Sequence, residues 1–141
     1  MLKRGIINSP ITPFFFNSEF YHIKRDDLLT PFEGNKARKF YYYLINEFPH
    51  IKRVISFGSN QSNAMASLSE LCKLKKWEFI YYTNHIPKIL KQYPQGNYLR
   101  ALKNGANIIQ TSLNGEKLIK FIKSLKDEET LIIEEGGRVK E

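Results

Sequence analysis

Val54-Ile55-Ser56-Phe57, then Gly58-Ser59-Asn60-Gln61-Ser62-Asn63, then Met65, Leu68, Leu71 and Cys72 at helical spacing form the passage that decides the fold. A short, uninterrupted apolar run suits a strand buried on both faces. Directly after it comes a polar loop of glycine, hydroxyl and amide residues. Behind that, apolar residues recur on one side of a helix. Strand, polar loop and helix in this order are the repeating unit of an α/β sheet.

The same rhythm continues outward. Phe79-Thr83, Ile108-Gln110 and Leu131-Glu134 read as further short strands. A helix begins at Tyr98-Leu99, runs to Leu102 and can end at Gly105 in a left-handed C′ position. Another is defined by Leu118, Ile119, Ile122 and Leu125. Crossovers of this length require parallel pairing. The expected architecture is therefore a three-layer α/β module on a parallel sheet.

Upstream the pattern changes. Pro13-Phe14-Phe15-Phe16, turn-like Asn17-Ser18 and β-prone Phe20-Tyr21-His22-Ile23-Lys24 predict a hairpin between Ile11 and Lys24. Asp26 to Gly34 reads as a loop. From Asn35 to about Phe48, Ala37, Phe40, Tyr41, Leu44, Ile45 and Phe48 mark one helical face, with Asn35 as a possible cap and Pro49 at the exit.

Composition narrows the classes. The chain has 141 residues, 42% of them hydrophobic, which suits one ordinary domain with a core. A single cysteine, Cys72, excludes an internal disulfide and any paired-cysteine metal motif. Its spacing predicts a buried thiol. His22, His50 and His85 are isolated, so no metal site is expected. The apolar run after Met1-Leu2-Lys3-Arg4 is broken by Asn8, Ser9, Pro10 and Pro13, and no window approaches a membrane span. We expect a cytoplasmic protein with no membrane partner. The net charge of +8 raises nucleic acid as a partner, but lysines are scattered over polar helix positions and no nucleic-acid signature stands out. No nucleic acid is expected.

Two places could carry chemistry. Lys36 falls in the first turn of its helix, with Gly34 allowing close backbone approach. The helix's positive end, Arg38 and Lys39 should all favour the neutral amine, the form that attacks an aldehyde. The plain alternative is an ordinary surface lysine. The Gly58–Asn63 loop opens a helix at the carboxyl end of a strand, where free N–H groups bind carboxylate or phosphate. Its alternative is an elaborate N-cap. Neither a GxGxxG fingerprint nor a Walker loop is present. Asp26-Asp27 point apart if extended, and one of them is expected to brace the loop before Lys36.

Taken together, Lys24-Arg25-Asp26-Asp27-Leu28, Gly34-Asn35-Lys36-Ala37-Arg38-Lys39 and Asn60-Gln61-Ser62-Asn63 resemble the pyridoxal-phosphate-dependent family of 1-aminocyclopropane-1-carboxylate deaminase and D-cysteine desulfhydrase. Gly96-Asn97 with Gly105-Ala106, and Glu135-Gly136-Gly137, resemble later family segments. The resemblance implies the tryptophan synthase β-like αβα fold (fold type II) and pyridoxal 5'-phosphate as cofactor. It implies that Lys36 holds the cofactor as a Schiff base and moves protons, and that Asn63 hydrogen-bonds the ring 3′-oxygen. Ser62 corresponds to a serine at the substrate, catalytic with Lys36, and the loop Gln61, Ser62, Asn63 and Ala64 to the grip on the substrate carboxylate. Ala64 departs from the His or Gln common in the family at that place.

Family members are considerably longer. Their phosphate cup, pyridine-nitrogen partner and active-site tyrosines lie beyond the point matching Glu141. The resemblance thus covers the amino-terminal part of the fold. Residues 1–48 correspond to part of the large cofactor domain, 49–135 to the small domain, and 136–141 to the start of the return. A small amino-acid substrate and a homo-oligomer at full length are implied. Alone, the 141-residue chain is expected to be inactive, with residues 1–48 exposed, rearranged or covered by another chain. A non-catalytic remnant or interaction module is the alternative.

Overall fold

The computed structural model describes residues 9–29, 31–32 and 34–137. Its first element is the expected hairpin, β1 (Ile11–Phe16) and β2 (Glu19–Lys24), paired antiparallel from Ile11 opposite Lys24 to Phe16 opposite Glu19. Asn17 and Ser18 form the turn with φ of 48° and 63°. Positive φ at both central residues is the two-residue turn that matches strand twist. The hairpin is a sheet of its own. Phe14, Phe15, Phe16, Phe20, Tyr21 and Ile23 are all exposed on it.

The single helix expected from Asn35 to Phe48 is shorter and broken. It is α1 (Asn35–Lys39) and α2 (Tyr41–Ile45), separated by Phe40 at φ −97°, ψ 2°. The hydrogen-bond ladder carries across the break, Phe40 N to Lys36 O and Leu44 N to Phe40 O. Gly34, not Asn35, is the cap residue, in a positive-φ conformation (φ 65°) that a side chain would strain.

The main sheet is parallel, with strand order β5-β4-β3-β6. These strands are β3 (Arg53–Phe57), β4 (Glu78–Thr83), β5 (Asn107–Gln110) and β6 (Thr130–Ile133). Between them run α3 (Asn63–Lys75), α4 (Lys88–Gln92), α5 (Gly96–Lys103) and α6 (Gly115–Ser124). The short α4 has no counterpart among the expected helices. Gly105 ends α5 as expected: at φ +89° it donates to Leu102 O, while Ala106 N reaches Ala101 O. That pair of bonds is the Schellman arrangement.

Alternation along the strands divides the core in two. Val54, Phe79 and Tyr81 face α3 and α5, whereas Ile55, Phe57 and Tyr82 face Leu118 and Ile122 of α6. The result is three layers. Cys72 is buried in the first core, where burial pushes its thiol pKa up.

The expectation that residues up to 48 would lose their burial holds for the hairpin and fails for the lysine segment. Ala37, Phe40, Tyr43 and Leu44 are buried within this chain, in one cluster with Val54 and the apolar side of α3. Beyond α2, Phe48 meets Tyr42, Tyr43 and Trp77 edge-on or tilted at 5.5–6.0 Å. Lys75 Nζ also donates to Asn46 O (2.8 Å). The physical reason is that α3 offers a second apolar side away from the sheet. The lysine segment covers it.

Candidate active-site cleft

β3 leaves the sheet at Gly58, where φ is +150° and an added Cβ would stand 2.6 Å from Tyr81 Oη. Only glycine lets the strand turn over that phenol. Tyr81 Oη donates to Ser59 O (3.1 Å) and also bonds Ser62, and its burial pushes its pKa up to about 12. Ser62 then caps α3: its Oγ accepts from Ala64 N (3.1 Å) and Met65 N (3.3 Å). Asn63 is the first residue of α3.

A second wall comes from α5. Asn97 Nδ2 donates to Gln61 O (3.0 Å) and to Asn63 Oδ1 (2.7 Å). Gln61 Nε2 donates to Gln95 O (3.2 Å), and its Oε1 accepts from Tyr98 N (3.3 Å). The amide side chain of Gln61 is therefore spent on α5.

Lys36 supplies the third wall. Its Nζ donates to Gly136 O (2.8 Å), which also accepts from Lys39 Nζ (3.1 Å). Gly136 and Gly137 have φ of 74° and 80°, and a Cβ on Gly137 would lie 2.9 Å from Phe40 Cζ. This glycine turn lets the end of β6 pass close beneath the lysine segment. Burial first, and the Lys39 charge second, lower the Lys36 pKa from its usual 10.5. Lys39 contributes as expected, but Arg38 does not. Its guanidinium instead pairs with Asp26 at 2.9 and 3.1 Å.

Asp26 is the brace foreseen for this loop. It takes bonds from Ser9 Oγ (2.5 Å), Lys24 Nζ (3.2 Å) and Arg38, which hold its carboxyl well below the usual carboxylate range. Its backbone O accepts from Gly34 N (2.7 Å). The hairpin, the loop and α1 thus meet at one carboxylate. Asp27 points elsewhere, in a bidentate pair with Arg25.

These walls enclose a cleft of about 210 Å³ lined by Lys36, Asn63, Ser67, Asn97, Arg100 and Asp27. Lys36 also borders a space of about 360 Å³ with Lys39, Phe57, Glu134 and Glu135. That space opens at the carboxyl ends of β3 and β6, where the chain order in the sheet reverses. Such switch points are the usual ligand crevices of α/β sheets. Lys36 and Asn63 share the smaller cleft. Of the other expected site residues, Gln61, Ser62 and Ala64 do not line it: Gln61 is bonded to α5, Ser62 is the helix cap and Ala64 is buried. Ser67, Arg100 and Asn97 enter from α3 and α5, and only Gly96-Asn97 carried any signal in the sequence. Among the described residues no group of three His, Cys, Asp or Glu could hold a metal ion. No helix among them is long and apolar enough to cross a membrane.

A three-layer α/β fold with Lys36 and the first residue of α3, Asn63, lining one cleft is the class this geometry defines. No family model and no curated protein matches the chain. Solved structures do. A crystal structure of an ACC deaminase homologue superposes with a TM-score of 0.75 at 23% identity, over 92% of this chain and 42% of its own. A hydrogen sulfide-producing enzyme from Fusobacterium nucleatum superposes with a TM-score of 0.65 at 14% identity, over 94% of this chain and 45% of its own. The chain shares its fold with part of each, and spans less than half their length.

Proposed function

We propose that this chain is the amino-terminal portion of a pyridoxal-phosphate-dependent lyase or deaminase. The reaction it would serve releases ammonia and a 2-oxo acid from a small amino acid of the D-cysteine or 1-aminocyclopropane-1-carboxylate type. The observation that carries this reading is the cleft lined by both Lys36 and Asn63. The two structural neighbours, an ACC deaminase homologue and a hydrogen sulfide-producing enzyme, support the same reaction class.

The residues fit the cofactor. An amine with a lowered pKa is more often neutral, and a neutral amine is the nucleophile toward an aldehyde. Bound here, pyridoxal 5'-phosphate supplies an electron-poor ring that takes up negative charge from the substrate carbon. Lys36 then holds or returns a proton at Nζ, with Gly136 O as its resting partner. Asn63 orients the ring. Ser62, anchored by the α3 N-terminus and by Tyr81, is the hydroxyl assigned to the substrate. Because Ala64 N already donates to Ser62 Oγ, a substrate carboxylate would draw on the backbone amides of Gln61 and Asn63.

In this reading residues 1–48 belong to the large domain, 49–135 to the small one, and 136–141 to the return. The phosphate cup and the partner of the pyridine nitrogen are assigned to the part of the neighbours' fold with no counterpart here.

The test is to incubate the protein with pyridoxal 5'-phosphate, reduce with borohydride, and map the modified lysine by mass spectrometry. Modification concentrated on Lys36, and abolished by Lys36→Ala, supports the proposal. Label spread evenly over the surface lysines would favour the non-catalytic remnant.

A further inference from the structure

The orientation of Asn63 is set by a chain of contacts that begins at a backbone carbonyl. Gln61 O can only accept, so the end of the Asn97 amide that meets it must be Nδ2 (3.0 Å). The second proton of that same Nδ2 goes to the side chain of Asn63, at 2.7 Å, so the end of Asn63 that meets it must be Oδ1. What Asn63 has left for the cleft is its own Nδ2, a donor. An amide rotated by half a turn would offer an acceptor in the same place, with the opposite preference for ligand charge.

The placement of Asn97 is itself secured. Gln61 Oε1 bonds Tyr98 N in the first turn of α5, where the cap residue Gln95 provides no side-chain bond. Gly96, between them, has φ +61°, and a Cβ there would stand 2.6 Å from Gln61 Oε1. The loop after β3 and the start of α5 thus lock each other: glycine permits the approach, and Asn97 transmits its polarity.

We infer that Asn97 is a positioning residue that fixes which end of Asn63 faces the cleft, so that the site presents a hydrogen-bond donor to a negatively charged oxygen of its ligand. This deepens the proposed function and rests on it for the ligand's identity. The amide orientation stands on geometry alone.

Asn97→Asp tests it, because a carboxylate of the same shape can only accept. It repels Gln61 O and pulls Asn63 Nδ2 toward itself, turning Oδ1 into the cleft. The first readout is the side-chain amide NMR signal of Asn63 in the cofactor-free protein. One of its protons should move downfield in Asn97→Asp, as it becomes bonded to the carboxylate. No movement would overturn the inference. The second readout is affinity for pyridoxal 5'-phosphate at high salt, where through-space repulsion is screened. Asn97→Ala, which frees the amide without inverting it, should weaken binding several-fold, and Asn97→Asp by about tenfold or more, near 1.4 kcal/mol. Equal affinity in the two variants would mean that Asn97 only fills space, and would also overturn the inference. If the NMR shift appears but the wild-type protein takes no cofactor onto Lys36, the orientation stands and the cofactor reading falls.

Discussion

Replacing Phe40 by alanine should unfold this protein far more readily than replacing any aromatic of the hairpin. Phe40 is fully buried, packs edge-on against Phe32 at 6.4 Å, and lies close against Gly137. Truncating such a core phenylalanine costs about 3–5 kcal/mol, the lost transfer energy plus the cavity left behind. Unfolding entropy is about 2.1 cal/mol/K per residue, so a chain of 141 residues has about 0.3 kcal/mol per kelvin at its midpoint. The melting temperature should therefore fall by about 10–17 °C, read by circular dichroism or calorimetry. Phe20→Ser is the control. Phe20 is 75% exposed, so its loss should stay within about 0.5 kcal/mol. If Phe40→Ala costs less than about 1 kcal/mol, or Phe20→Ser costs as much, the lysine segment is not held by the core as described.

Two further expectations concern the site. Lys36 should become half neutral below the ordinary lysine value of 10.5, as measured by competitive acylation against pH with peptide-level mass spectrometry. Lys39→Ala should raise that midpoint without restoring the ordinary value, because burial is the larger cause. The sign for stability follows: the folded chain disfavours the charged amine, so the penalty is full below the folded pKa and fades as pH rises toward the unfolded one. A Lys36 midpoint at or above the ordinary value would contradict the geometry. Ser62→Ala should cost about 1 kcal/mol of stability, since it strips the acceptor from Ala64 N and Met65 N. Unchanged stability in chemical denaturation would show that the hydroxyl is not the cap of α3.

How much of this was legible beforehand depended on how local the cause was. All four parallel strands and the hairpin could be read because each is written in a run of a few residues, and the Asn17-Ser18 turn in two. The break at Phe40 could not. An apolar face continuing to Phe48 is the same pattern whether the helix is straight, breaks at Phe40 or stops at Ile45, and Phe48 then packs on Trp77 from outside any helix. Lys36 and the Asn60-Asn63 loop were visible as separate motifs; no local pattern joined them, and their common cleft was implied only by the family resemblance.

The sequence by itself determined the strand-loop-helix units, the buried cysteine, the backbone roles of Gly34 and Gly105 and the two candidate motifs. These follow from side-chain periodicity and backbone sterics acting over a few residues. Only the tertiary structure decided which polar groups met: Arg38 on Asp26, Lys36 and Lys39 on one carbonyl, Asn97 on Asn63. Hydrogen bonds and desolvation act at about 3 Å whatever the separation along the chain, and Lys36 lies 100 residues from the glycine that holds it.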